Sequence, residues 1–223
     1  VLFSSPCNPT GSVYTKSELE ALAGVLEDHP DIVVISDEIY EYINFGEKHF
    51  SIGSIPSMKD RTVTVNGFSK GFAMTGWRLG YIGAPTWIAN ACTKMQGQFT
   101  SGANSFSQKA AAHAIQHEIQ ACEDMRDVFL TRRDLFLEKL KEIPGLKVNK
   151  PQGTFYVFPD ASAFFGKKYG EFHIQNADDL SEYLLAEGHV SLVSGIPFGA
   201  AECIRMSYAN SDAEILQAAE RIK

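Results

Sequence analysis

The sequence predicts an α/β protein: a mostly parallel sheet layered with helices, followed by a smaller α+β unit. Three observations carry this. Short runs of β-branched residues alternate with segments of helical period, polar clusters sit directly after those runs, and the texture changes after Pro144-Gly145. In open α/β sheets, ligands gather at the carboxyl ends of the strands, so the polar clusters stand where that rule expects them.

Each element follows from local chemistry. The apolar triplet Val1-Leu2-Phe3, followed by a turn, reads as a strand entered midway, and the chain reads as the C-terminal part of a longer protein. Thr15-Lys16-Ser17-Glu18 has the pattern of a capping box, and Leu19, Leu22, Ala23 and Leu26 follow at helical spacing, which predicts a helix over about 15–28. Pro30 closes it. Ile32-Val33-Val34-Ile35 is continuously β-branched, as in a strand covered on both faces, and it delivers Ser36-Asp37-Glu38. Thr62-Val63-Thr64-Val65 delivers Asn66 to Lys70 in the same way. Leu79–Ala84 is a third strand candidate, before a helix from about Pro85.

From about Ser105 to Ile143 the period is helical, with Arg126, Arg132, Arg133, Lys139 and Lys141 on a solvated face. Beyond it, short strands at Leu146–Val148, Thr154–Phe158, Val190–Val193 and Ile204–Tyr208 alternate with helices near 178–187 and 212–222. The last helix carries a second capping box, Ser211 to Glu214. The division this gives is a large-domain portion over 1–118, a connecting helix over 119–144 and a small domain over 145–223.

Composition excludes several classes. With 44% hydrophobic and 21% charged residues in 223, the chain suits a globular core rather than disorder. Its formal charge of -7, without a Lys/Arg block, argues against nucleic acid and anionic membranes as partners. No apolar run approaches the roughly 20 residues that cross a bilayer. Cys7, Cys92, Cys122 and Cys203 form no C-x-x-C pair, which argues against a zinc site or a disulfide framework and for a reducing, cytoplasmic compartment. His113 and His117 stand one turn apart beside Glu118, a spacing some zinc sites use, but no third ligand accompanies them, and no metal is expected.

The stretch from Asn66 to Tyr81 sets a single amine, Lys70, among Phe68, Phe72, Met74 and Trp77, with Arg78 eight residues on. Desolvation or a nearby cation turns a lysine into a nucleophile toward carbonyl compounds. Taken with Asn8-Pro9-Thr10-Gly11, Ser36-Asp37-Glu38-Ile39-Tyr40, Ser69-Lys70, Met74 to Tyr81 and Ile204 to Ala209, in this order and spacing, the chain resembles the pyridoxal-phosphate-dependent aminotransferases of fold type I. It looks most like the bacterial aspartate aminotransferase branch that includes aspartate/prephenate aminotransferases. The likeness covers essentially every residue present.

That resemblance implies the PLP-transferase fold, with part of the large α/β/α domain followed by the small C-terminal domain. It implies that Lys70 is the catalytic residue, carrying pyridoxal 5'-phosphate as an internal Schiff base and shuttling a proton at the substrate Cα. Asp37 would pair with the pyridine nitrogen, Asn8 and Tyr40 would donate to the phenolic oxygen, and Arg78 with Ser69 would hold the phosphate. Many relatives carry a serine three residues before the lysine. This chain has Gly67, so that contact is missing or falls to a backbone amide.

Arg205 would clamp the substrate α-carboxylate, with Asn8 and Phe155 also facing the substrate. As bare residues, Arg205 could instead pair with a carboxylate such as Glu202, and Phe155 could be core. The implied reaction moves an amino group between aspartate or glutamate and a 2-oxo acid: oxaloacetate, 2-oxoglutarate or prephenate. Relatives are homodimers whose sites borrow residues from the neighbouring subunit, and in this branch the side-chain carboxylate is recognised largely upstream of the NPTG turn. Two other classes share the lysine: a carbon–sulfur β-lyase, and a cofactor-sensing effector domain of a transcription regulator, which would carry an upstream winged helix.

Overall fold

The computed structural model describes all 223 residues and divides them into two compact units. The first unit comprises Val1–Cys7 and Ser12–Arg126, the second Asn8–Gly11 and Asp127–Lys223. The NPTG turn therefore folds with the C-terminal unit, although it lies at the start of the chain.

The first unit is built on a four-stranded sheet in the order β1 (Leu2–Ser4), β2 (Val34–Asp37), β3 (Thr62–Gly67), β4 (Gly80–Gly83). β1 and β3 run parallel to β2, and β4 runs antiparallel to β3. The register sets Asp37 opposite Ser4 on one side and Val65 on the other. β3 runs two residues further than β2, to Gly67, and the loops that follow both strands leave the same edge of the sheet. Helix α1 (Lys16–Glu27) starts at Thr15, whose hydroxyl accepts from the Glu18 amide while the Glu18 carboxylate accepts from Thr15 N, the reciprocal capping expected from the sequence. Its Leu19, Ala23 and Leu26 pack with Val34, Ile52 and Met58 into the core of the unit.

That core covers one face of β2 only. Val34 and Ser36 are buried while Ile35 between them is 38% exposed, so the expectation of a strand covered on both faces is corrected for this chain. The physical reason is that α1 and the segment around Ile52–Met58 form a single covering layer. α2 (Thr86–Phe99) buries none of its residues, and α3 (Ser105–His117) buries only Ser107 and Ala111. The helical run expected from Ser105 to Ile143 is broken: α3 is capped at Glu118, and α4 (Ile119–Leu140) begins directly after it. No proline or glycine marks that break, so the sequence carries no local signal for it. No helix is long and apolar enough to cross a membrane.

In the second unit, β5 (Tyr156–Val157), β9 (Ile204–Ser207) and β8 (Val193–Ser194) form an antiparallel sheet in the order β5-β9-β8. A separate hairpin joins β6 (Lys167–Tyr169) to β7 (Phe172–Ile174) through Gly170, whose φ of 55° suits a tight turn. The sequence reading contained no hairpin there, and the strand expected at Leu146–Val148 reduces to a single bridge between Lys147 and Asp160. Helices α5 (Ala177–Ala186) and α6 (Asp212–Ile222) stand within a residue of expectation, α6 with the reciprocal Ser211–Glu214 capping. The four cysteines are free thiols, and burial pushes the Cys122 thiol up to about 11.

Candidate active site

In the first unit, the chemistry-bearing residues lie on the loops after β2 and β3. Asp37 is the last residue of β2 and half-buried; its Oδ1 accepts from the Ile39 amide at 3.1 Å, which turns the chain toward Tyr40. Its Oδ2 has no hydrogen-bond partner within the chain. Tyr40 is buried, and the Lys70 ammonium lies 5.8 Å from the centre of its ring. Lys70 is half-buried and sits in a turn closed by Ala73 N donating to Lys70 O at 3.1 Å.

The lysine loop is tied to its strand by Phe68 N donating to Leu79 O and Met74 N donating to Phe68 O. Gly71 is required by packing: a Cβ there would stand 2.6 Å from the Tyr42 ring. Tyr42, Phe72, Phe68 and Tyr81 form a run of edge and tilted ring contacts beside this loop, with centroids 5.2–5.7 Å apart. Trp77, expected among the desolvating neighbours of Lys70, is exposed, as is Arg78. Arg78 adopts a left-handed conformation (φ 51°) and donates from Nη1 to Thr75 O at 2.9 Å. Ser69 is half-buried.

Beneath Asp37 and Tyr40 is a polar cluster that the sequence reading did not assemble. The buried Glu38 carboxylate accepts from Ser36 Oγ at 2.9 Å and Ser51 Oγ at 2.7 Å, and His49 Nε2 stands 2.8 Å from its other oxygen. Glu41 joins them. Burial raises its carboxyl above the ordinary range, opposed by the nearby His49 and Asn66 side chains. The same burial, with Glu41 nearby, raises the Tyr42 and Tyr81 phenols. Glu38 belongs to the Ser36–Tyr40 motif, but nothing local in the sequence links it to residues 11 and 13 positions later.

In the second unit, the NPTG turn docks on the loop Pro151–Thr154: Gly11 O accepts from the amides of Gln152 and Gly153, at 2.8 and 2.9 Å. A Cβ on Gly11 would lie 2.4 Å from that of Pro151, and its φ is +67°, so glycine is needed twice over. This places Asn8 against β9, where its Oδ1 accepts from Arg205 Nη1 at 2.8 Å. The guanidinium also stacks 4.5 Å from the Tyr156 ring centre and 5.1 Å from that of Phe198. Asn8 and two rings, not Glu202, therefore accompany Arg205. One N–H of five is used on Asn8, which leaves enough of the planar fork for a carboxylate.

Phe155 is half-buried against Phe129 (5.3 Å) and Tyr156 (4.7 Å), so it shares the aromatic packing of this unit. Its backbone is fixed by the residue before it. Thr154 is fully buried with φ 64°, and the Tyr208 hydroxyl donates to Thr154 O at 3.0 Å.

The residues of the first unit fit pyridoxal phosphate by their chemistry. An open carboxylate oxygen on Asp37 suits a ring N–H, the Tyr40 hydroxyl suits a phenolate, Lys70 supplies an amine, and Ser69 with Arg78 supplies donors for a phosphate. Residues 1–222 match the family described as aminotransferase class I and II. The chain belongs to that family.

Its relatives are aminotransferases by name. It is 48% identical to the bifunctional aspartate aminotransferase and glutamate/aspartate-prephenate aminotransferase of Petunia hybrida, covering 100% of this chain and 48% of that one. To the aspartate aminotransferase of Pinus pinaster it is 45% identical, over 95% of this chain and 44% of the relative. The crystal structure of the aspartate aminotransferase from Rhizobium meliloti superposes with a TM-score of 0.94 at 38% identity, covering 99% of this chain and 56% of that one. The likeness to that solved structure agrees with the fold class expected from the sequence. The chain spans about half the length of the curated relatives it matches.

Proposed function

We propose that the full-length protein is a pyridoxal-phosphate-dependent aminotransferase that moves an amino group between aspartate or glutamate and a 2-oxo acid, among oxaloacetate, 2-oxoglutarate and prephenate. What carries the reading is the position of Asp37, Tyr40 and Lys70 at the carboxyl ends of two adjacent parallel strands and on the loops that leave them. The names of the relatives support the substrate class.

Bound cofactor supplies the electron sink for the pair left when the substrate Cα–H bond breaks. Lys70 would hold the cofactor in the resting protein and, once its amine is released, would take the proton from the substrate Cα and deliver it to the cofactor carbon that keeps the amino group. Asp37 keeps a proton at the ring nitrogen by accepting a charge-assisted hydrogen bond. Tyr40, with Asn8, donates to the phenolic oxygen. Arg78 and Ser69 hold the phosphate, and Arg205 grips the substrate α-carboxylate, which fixes the Cα–H bond for Lys70. Phe155 lines the substrate side, and a second copy of the chain completes a homodimer.

Assay of the full-length protein with pyridoxal phosphate tests this. Oxaloacetate released from aspartate, with glutamate formed from 2-oxoglutarate, is the expected result. Pyruvate released from cystathionine without amino transfer would assign a β-lyase instead.

A further inference from the structure

The geometry points to Glu38, His49 and Ser51 as positioning residues that hold Asp37 and Tyr40 for the cofactor. This rests on the cofactor reading above. Glu38 is the residue after Asp37 and its amide donates to Val65 O at 2.8 Å, so its backbone continues the pairing of β2 with β3. Its side chain is 3% exposed as a residue and accepts from three groups. A carboxylate buried this deeply is costly unless satisfied, which makes its partners stringent about where they stand.

Two of those partners, His49 and Ser51, lie beyond Tyr40 in the chain. The carboxylate therefore pulls the far end of the loop back onto the end of β2 and fixes the path of residues 38–51, Tyr40 included. The same Glu38 amide bond to Val65 O ties the loop to β3, where Asn66 Oδ1 accepts from Gly67 N at 2.7 Å on the way to Lys70. The cluster thus binds the Asp37–Tyr40 loop to the strand that delivers Lys70. Glu38, Glu41 and His49 each offer a ligand atom within 4.8 Å of the others, an arrangement that a divalent ion can also use. Here the Glu38 oxygens are already taken by two hydroxyls and the imidazole, so no ion is needed to satisfy them.

The groups facing this cluster are Ser36 and Glu38 from β2 and its end, Glu41, Tyr42, His49 and Ser51 from the loop, Asn66 from β3, Tyr81 from β4 and Cys122 from α4. A Tyr40 hydroxyl held in place would donate to the phenolic oxygen of bound cofactor and ease loss of the proton shared with the lysine nitrogen. A slackened Tyr40 leaves that proton more firmly held, so the visible band titrates at higher pH.

The test uses full-length holoprotein carrying Glu38→Gln, His49→Asn or Ser51→Ala, the last removing one donor only. Leu26→Ala, a truncation in the α1 core, is the control for lost stability. Pyridoxal phosphate should dissociate about tenfold more readily from the Glu38 and His49 variants, as when a buried hydrogen bond of a charged group is loosened. The pH midpoint of the visible band should rise by roughly half a unit or more. Ser51→Ala should move both in the same direction by less, and Leu26→Ala should lower the melting temperature with neither change. If the cluster variants melt earlier but keep the parental midpoint and affinity, the role is structural and the inference fails. One divalent ion per chain, retained on dialysis and lost in His49→Asn, would overturn it in favour of a metal site. A parent protein without any visible band would overturn the cofactor reading itself, whereas an unshifted band overturns this inference alone.

Discussion

Replacing Arg205 with alanine probes the substrate end of the account. In the structure its guanidinium donates to Asn8 and lies between the rings of Tyr156 and Phe198, with the rest of its fork unspent. A hydrogen bond to a charged group contributes about 1.5–3 kcal/mol, so loss of two parallel bonds to an α-carboxylate costs about 3 kcal/mol at the lower end, or about 150-fold in KM. Arg205→Lys keeps the charge but not the fork, and should cost about half that free energy, roughly tenfold. Loss of the two ring contacts adds roughly 1 kcal/mol to the cost in folding stability. Steady-state kinetics with aspartate and 2-oxoglutarate, on protein whose visible cofactor band is checked, separate the effects. The band should persist in both variants. KM values that stay parental for both substrates would remove Arg205 from the substrate role.

Three further perturbations address other parts of the molecule. Lys70→Ala should abolish both the visible band and turnover of the full-length protein, and a variant that kept either would displace Lys70 from its role. Gly71→Ala forces a Cβ to within 2.6 Å of the Tyr42 ring and should destabilise by about 1–3 kcal/mol in urea unfolding; a neutral result would mean that the loop yields freely. Hydrogen bonds from Ser162, with Lys147 nearby, hold the Asp160 carboxyl down at about 2 against an ordinary value of 3.8. Because the folded value is the lower one, this contribution is full above 3.8 and fades as pH falls toward about 2. Urea midpoints of Asp160→Asn and parent should therefore converge over that window, and a gap that stayed constant would refute the linkage.

What the sequence made legible is what local chemistry determines. The capping boxes at Thr15 and Ser211 fixed two helix starts, because a side chain three residues from its partner satisfies orphan amides without help from elsewhere. The β-branched runs before Asp37 and Asn66 located β2 and β3, and with them the loops that matter. The open face of Ile35 was missed because a run of valines and isoleucines records tolerance of burial, not whether a second layer is present. The β6–β7 hairpin was missed because Lys167-Lys168-Tyr169 has neither alternation nor an apolar run, and all three are exposed.

The site divides in the same way. Lys70, Asp37 and Arg205 were legible as motifs, but the partners of Arg205 were not. Asn8 is 197 positions away, and the glutamate three residues before Arg205 was the more obvious candidate. The Glu38 cluster depends on a loop folding back on itself, a contact that neither the helical nor the strand period encodes.

The central claim is that one amine, on the loop after β3, carries the cofactor. Borohydride reduction of full-length protein loaded with pyridoxal phosphate, then digestion and mass spectrometry, measures this directly. The account predicts the reduced cofactor on the peptide containing Lys70. Cofactor mass on a different lysine, or on no peptide at all, would contradict it.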